Sequence, residues 1–132
     1  MKLAAFLCVW APAGSYGAAA AACENPPMVT VPDGKTATTD QLRAAQQDVR
    51  TYMSAMQEYL ACLNTELTTS GEGALAEFKQ LMVMRHNAAV SEMESVVALF
   101  NAHVVAHRAA NPQQPSPTAL PPAPTALPPA VN

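Results

Sequence analysis

The sequence predicts an all-α fold, an antiparallel hairpin of two long helices preceded by an extended, proline-rich arm. Two stretches, about 39–67 and 74–110, lack proline and glycine and carry apolar residues at alternating intervals of three and four. Between them, residues 68–73 (TTSGEG) are rich in residues that favour turns. A loop this short makes two amphipathic helices antiparallel neighbours.

Residues 1–22 are typical of a secretory signal peptide. Lys2 supplies a positive charge, an apolar run extends from Leu3 to Trp10, and alanines from Ala18 onward offer small-residue cleavage sites. This run is too short to span a bilayer, and no second run in the chain is long enough. We therefore predict a periplasmic or secreted protein without a membrane span.

The arm, residues 23–38, is expected to be extended, because its three prolines fix φ and lack a backbone donor. Asp33-Gly34 is a turn signal within it. Thr38 and Gln41 then match a capping box, which predicts that the first helix begins at Thr39.

Each predicted helix carries one apolar stripe. On the first helix the stripe is Leu42, Val49, Met53, Met56, Leu60, Leu63 and Leu67, interrupted by Gln46 and flanked by Tyr52 and Tyr59. On the second helix it is Leu75, Phe78, Met82, Ala89, Met93, Val97, Phe100 and Val104. Because the second helix extends past the start of the first, Phe100, Val104 and Val105 are expected to be uncovered. We interpret them as an interaction surface for the arm or for a second copy of the chain, and predict a homodimer.

The tail, residues 112–132, is predicted to be disordered. It is rich in proline and alanine and repeats the sequence PTALPPA at 117–123 and again at 124–130. Such segments form extended, polyproline-like chain without a core. The foldable part is then residues 23–111, a small domain that needs a staple or a partner for stability.

Cys23 and Cys62 are the two cysteines that follow the signal peptide. The arm reaches about 50 Å when extended, enough to fold back along about 35 Å of the first helix. We therefore predict a Cys23–Cys62 disulfide, which closes a loop of about 40 residues and contributes on the order of 4 kcal/mol. The alternative is a lipoprotein anchored through acylated Cys23, although the preceding alanines lack the leucine-like residue expected three positions upstream.

Charge and motifs exclude several classes of function. After the signal peptide the chain has six basic and ten acidic side chains, a net charge of −4. This balance argues against binding to nucleic acid or to anionic membranes, both of which need a basic patch. The sequence lacks a nucleophile elbow, a glycine-rich phosphate loop and a CxxCH haem site. We therefore predict that the protein is not an enzyme and has no cofactor.

Two sets of residues have features of a metal site. His103 and His107 stand four apart on the second helix, a separation that lets two imidazoles share a metal, but no third ligand lies nearby. Thioethers select Cu(I), and a cluster of methionines and one histidine is expected midway along the hairpin. The members of this cluster are Met53, Met56, Met82, Met84 and His86. Core packing and a solvated helix face are the simpler interpretations.

The segments CENPP, VPDG and AT within residues 23–38, with YLACL at 59–63, resemble small exported helical proteins of proteobacteria whose function is unassigned. The resemblance spans about residues 23–65. It implies a proline-rich arm tied by a cysteine to a long helix, and no activity. The chain also has the general character of the Spy-like periplasmic chaperones but lacks their LTxxQ repeats, and residues 39–42 (TDQL) are not an equivalent.

Together these observations predict a non-enzymatic exported protein with a structural or protein-interaction role. Its partner is expected to be a second copy of the chain or another protein of the periplasm or envelope. A copper-binding protein and a chaperone-like holdase are the alternatives.

Overall fold

A computed structural model describes residues 23–128, and within this range helices are the only regular secondary structure. Helix α1 comprises Thr39–Thr69 and helix α2 comprises Ala76–Ala110. The two helices pack against each other as a hairpin, which confirms the predicted all-α fold. The predicted signal peptide, residues 1–22, lies outside the described residues, as do the last four residues of the tail.

Local signals set both ends of α1, whereas the start of α2 has no side-chain cap. The Thr38 hydroxyl accepts from the Gln41 N–H at 3.2 Å, and the Gln41 side chain accepts from the Thr38 N–H at 2.8 Å. The predicted capping box is therefore present. After α1, Gly71 adopts a φ of 72°, a left-handed conformation that glycine enters without strain. Helix α2 begins after Leu75, whose apolar side chain makes no capping bond, and carries Arg108 near the negative end of its dipole.

The core lies between the facing sides of α1 and α2. Its fully buried members include Leu42, Val49, Met56, Leu63, Val90, Met93, Phe100 and Val104. Phe100 and Val104, which were expected to need cover by the arm or by a second copy, have no exposed area within the single chain. Only Val105 of the predicted interaction surface is exposed, at 63%. Of the two predicted covers, the arm approaches this end of α2 at His103, and the tail, which was not predicted to cover it, approaches at Asn101.

Two extended segments lie on opposite edges of the buried face of α2. The arm approaches α2 at His103, which is bonded to Gly34, and the tail approaches it at Asn101, which is bonded to Leu120. At 3.6 residues per turn, His103 and Asn101 are separated by roughly 160° around the helix. The hairpin therefore has two occupied grooves. The arm groove is lined by Tyr59, Cys62, Arg85 and His103, and the tail groove by Gln46, Met53, Asn87 and Asn101.

The tail differs from the disordered segment that its composition predicts. Residues 112–128 run back along the hairpin, with Pro117 and Leu120 buried. A polyproline-like chain has no internal hydrogen bonds, so its free backbone groups are available to polar side chains on the helices. Those side chains, and not the tail sequence alone, hold the tail in place.

Candidate functional site

The first residue of the arm is held by a disulfide and two polar contacts. Cys23 is bonded to Cys62 of α1, with the two Cα atoms 5.8 Å apart, which confirms the predicted pairing. The Cys23 N–H donates to the Glu66 carboxylate at 3.3 Å, and the Cys23 carbonyl accepts from the Arg85 guanidinium at 2.9 Å. The disulfide occupies the same sulfur that would carry the acyl chain in the lipoprotein alternative.

Farther along, the arm turns against the backbone of α2. The Gly34 N–H donates to Nδ1 of His103 at 3.0 Å, and the Asp33 carboxylate lies 3.8 Å from the same nitrogen. A Cβ atom added at Gly34 would overlap the His103 backbone carbonyl. Close approach to the helix therefore requires glycine at this position, and the arm is fixed at two distant points.

Two asparagines of α2 hold the tail by its backbone. The Asn101 carboxamide accepts from the Leu120 N–H at 2.8 Å and donates to the Leu120 carbonyl at 3.0 Å. Asn87 makes the same pair of bonds with Leu127, at 2.8 and 2.9 Å. Each carboxamide thus satisfies both backbone groups of one leucine. We call these two arrangements the asparagine clasps.

The spacing of the clasps matches the internal repeat of the tail. Leu120 and Leu127 occupy the same position in the two copies of PTALPPA, seven residues apart. A polyproline-like chain covers about 22 Å over that interval, at about 3.1 Å per residue. Asn87 and Asn101 are fourteen residues apart, which is about 21 Å along a helix. One repeat of the tail therefore has the length of two heptads of α2.

Additional contacts hold the tail before the first clasp. They join the Arg108 guanidinium to the Pro117 carbonyl at 2.8 Å, the Gln46 side chain to the Thr118 carbonyl at 2.6 Å, and His107 Nδ1 to the Ser116 hydroxyl at 2.8 Å. Leu120 is 8% exposed and joins the core, whereas Leu127 is half-buried. Leu120 is therefore held more firmly than Leu127.

A cavity of about 510 Å³ remains between the tail and the helices. Met53 of α1 and Val97 of α2 contribute its apolar walls, and the tail borders it from Leu120 to Pro124. The exposed polar side chains along it are Arg50, Ser54 and Gln57. Ala123 stands three residues after Leu120, one turn of a polyproline helix, and lines the cavity with only a methyl group.

The structure does not bring all the predicted copper ligands together. Met56 and Met82 are buried in the core, Met53 lies at the tail groove, and Met84 is 56% exposed. His86 is buried, and within residues 23–128 its Nδ1 has no hydrogen-bond partner. The methionines therefore belong to three different environments.

Other potential metal ligands have partners of their own. The sulfur atoms of Cys23 and Cys62 and a carboxylate oxygen of Glu66 lie within 4.8 Å of one another, but both sulfurs are in the disulfide. The predicted histidine pair is divided, since His103 accepts from the arm and the fully buried His107 contacts the tail.

The sequence-based reasoning did not identify Asn87 and Asn101. Asparagine is a poor residue for a helix interior, because its side chain competes for backbone hydrogen bonds. The two are separated by fourteen residues, and the tail repeats every seven. Fourteen residues of helix and seven residues of polyproline chain have nearly the same length. This agreement was the one signal in the sequence that could have pointed to the two asparagines.

No protein family model, curated protein or solved structure matches this chain. Between residues 23 and 128, no helix combines the length and the apolarity needed to cross a membrane.

Proposed function

We propose that this is a non-enzymatic exported protein that acts by binding another protein of the periplasm or envelope. One observation carries the proposal: both grooves of the hairpin hold extended chain through side-chain contacts to backbone groups. Bonds to backbone groups depend little on the identity of the bound side chains, and they are a recurrent basis of peptide recognition.

The polar side chains nearest these segments have structural partners. Arg85 binds the arm carbonyl at Cys23, Arg108 binds the tail carbonyl at Pro117, and His107 contacts Ser116. A protein-binding role uses such groups as donors and acceptors and does not require a reactive one. The copper-binding alternative has less support, because the exposed Met84 is apart from the buried Met56 and Met82.

Export is tested by expressing the full chain in a bacterial host and measuring its intact mass, with and without reduction before thiol alkylation. We expect a chain that lacks about the first 22 residues and reacts with the alkylating reagent only after reduction. An unprocessed chain in the cytosol, or a chain acylated at Cys23, would contradict the proposal of a secreted, disulfide-bonded protein.

Protein binding is tested by placing a photo-activated crosslinking amino acid at single exposed positions of the exported chain. Gln57 samples the tail groove, whereas Val105 and Leu99 sample surface outside it. We expect a discrete heavier species from at least one position, identified by mass spectrometry as a complex with another envelope protein. If none of the three positions gives an adduct in the producing organism, the proposed function is wrong.

A further inference from the structure

The geometry points to the tail groove as a receptor for an extended, proline-rich segment of another protein, with the chain's own tail as the resident competitor. The ligand we infer carries two leucines seven residues apart within polyproline-like chain, and a larger apolar residue three positions after the first leucine. This inference rests on the proposed function, that the protein acts by binding a partner.

The two grooves differ in whether their occupant can leave. The arm is joined to α1 by the Cys23–Cys62 disulfide and cannot leave its groove under oxidising conditions. The described part of the tail is held by hydrogen bonds and by burial of Leu120, and its second clasp engages a half-buried leucine. The tail groove is therefore the groove that can exchange its occupant.

The clasps define which residues a ligand needs. Each asparagine accepts from a backbone N–H, which proline lacks, so the ligand needs a non-proline residue at both clasped positions. The intervening residues can be proline, because proline favours the extended conformation that spans the distance between the clasps. Leu120 shows that the first clasped position also places its side chain in the core.

The cavity shows that the resident tail fills the groove incompletely. Ala123 lies on the same face of the tail as Leu120 and borders the cavity beside Met53 and Val97. A leucine at the Ala123 position would bury additional apolar surface there. A partner segment with this feature would bind better than the tail itself, which gives it a way to displace a competitor that is present at high effective concentration.

The test measures binding of fluorescent peptides to the full, exported chain by anisotropy. The first peptide is PTALPPAPTALPPA, residues 117–130 of the chain. A second has leucine in place of the alanine that corresponds to Ala123, and a third has N-methyl leucine at the two clasped positions. The proteins are the wild type, a tail-release variant (Leu120→Ser with Leu127→Ser), and that variant with Asn87→Ala and Asn101→Ala added.

We expect the tail-release variant to bind the first peptide at least about tenfold more tightly than the wild type, because its own tail no longer competes. The leucine-substituted peptide should bind about tenfold more tightly again. N-methylation should weaken binding by about tenfold or more, and loss of both asparagines should abolish it. Helicity measured by circular dichroism shows whether the tail-release variant keeps the hairpin.

If the tail-release variant loses the hairpin, the substitution Leu127→Pro replaces it. This change removes the backbone N–H and the half-buried leucine side chain of the second clasp and leaves Leu120 in the core. Ala126→Pro, on an exposed residue, is its control for the effect of an added proline. Peptide binding enhanced by Leu127→Pro and not by Ala126→Pro supports the inference.

Two results would overturn it. The first is a helical tail-release variant that binds none of the peptides, or binds the N-methylated one equally well. The second is a wild-type mass in light scattering that doubles with concentration and depends on Asn87 and Asn101, which would assign the groove to the tail of a second copy. Crosslinks from Val105 or Leu99 without peptide binding would leave the proposed function standing while this inference fails.

Discussion

The hydroxyl of Tyr52 on α1 donates a 2.6 Å hydrogen bond to the carboxylate of Glu92 on α2. Tyr52 is buried, so desolvation disfavours its phenolate, and the bond to Glu92 and the negative charge of that residue add to the effect. All three causes raise the pKa of Tyr52 above its ordinary value of about 10. This pair joins the two helices at the edge of the core.

We expect Tyr52→Phe to lower the free energy of unfolding by about 2 kcal/mol at neutral pH, because it removes a bond to a charged acceptor. The variant also loses a pH dependence. Above about pH 10 the unfolded wild type releases the tyrosine proton while the folded state retains it, so wild-type stability falls as pH rises through that range.

Urea denaturation between pH 7 and 11 measures both effects. Below pH 10 the contribution of Tyr52 is fully present, so the difference between wild type and Tyr52→Phe should be constant there and shrink at higher pH. Tyr59→Phe serves as the control, since this tyrosine is also buried on α1 but its hydroxyl makes no side-chain bond in the described structure. If the difference in unfolding free energy between wild type and Tyr52→Phe stayed constant up to pH 11, the raised pKa of Tyr52 would be contradicted.

The Cys23–Cys62 disulfide should supply a large share of the stability. The cysteines are separated by 39 residues in sequence, and closing a loop of that size contributes about 4 kcal/mol in the chain-entropy description. We expect reduction, or the double substitution Cys23→Ser with Cys62→Ser, to lower the urea midpoint accordingly. The reduced wild type and the oxidant-treated double variant should then have the same urea midpoint. A loss below about 1 kcal/mol would contradict the chain-entropy estimate for this loop.

Gly34 and Gly73 provide a matched pair of glycines. A Cβ at Gly34 would overlap the His103 carbonyl, whereas a Cβ at Gly73 would meet nothing within 4 Å. We expect Gly34→Ala to destabilise the protein by about 1–3 kcal/mol, since the arm must shift away from α2. Gly73→Ala should be neutral or stabilising by up to about 1 kcal/mol, because alanine lowers the conformational entropy of the unfolded chain. Thermal unfolding distinguishes them, and equal melting temperatures would show that the arm does not pack closely on α2.

Local features of the sequence predicted the helices well. The capping box at Thr38 and Gln41 and the apolar stripes are signals within one element, and the structure has helices close to the predicted bounds. The disulfide was predictable for a different reason. Only two cysteines follow the predicted signal peptide, and the arm is long enough to bring the first to the second.

What the sequence did not predict depends on contacts between distant segments. The arm was one of the two covers predicted for Phe100 and Val104, but the sequence did not predict that the tail also returns to this end of α2. The clasp between Asn101 and Leu120 joins two elements that each look unremarkable alone, a polar helix residue and a proline-rich tail. Composition predicts that such a tail is disordered in isolation. Here the helices supply hydrogen-bond partners that order it.

The start of α2 lacks a side-chain cap and should be improvable. Leu75 occupies the N-cap position with φ −56° and ψ 142°, makes no capping bond, and is 74% exposed. Serine adopts this conformation readily, and its hydroxyl accepts from a backbone N–H of the first turn.

We therefore expect Leu75→Ser to stabilise the protein by about 1 kcal/mol, which corresponds to a rise of roughly 4–8 °C in melting temperature for a domain of this size. The matched control is Leu81→Ser, because Leu81 is also an exposed leucine but lies inside α2. Serine is a weaker helix former than leucine, so this control should lower the melting temperature slightly. Calorimetry checks both variants. If Leu75→Ser also lowered the melting temperature, the exposed leucine would be contributing contacts that outweigh a cap.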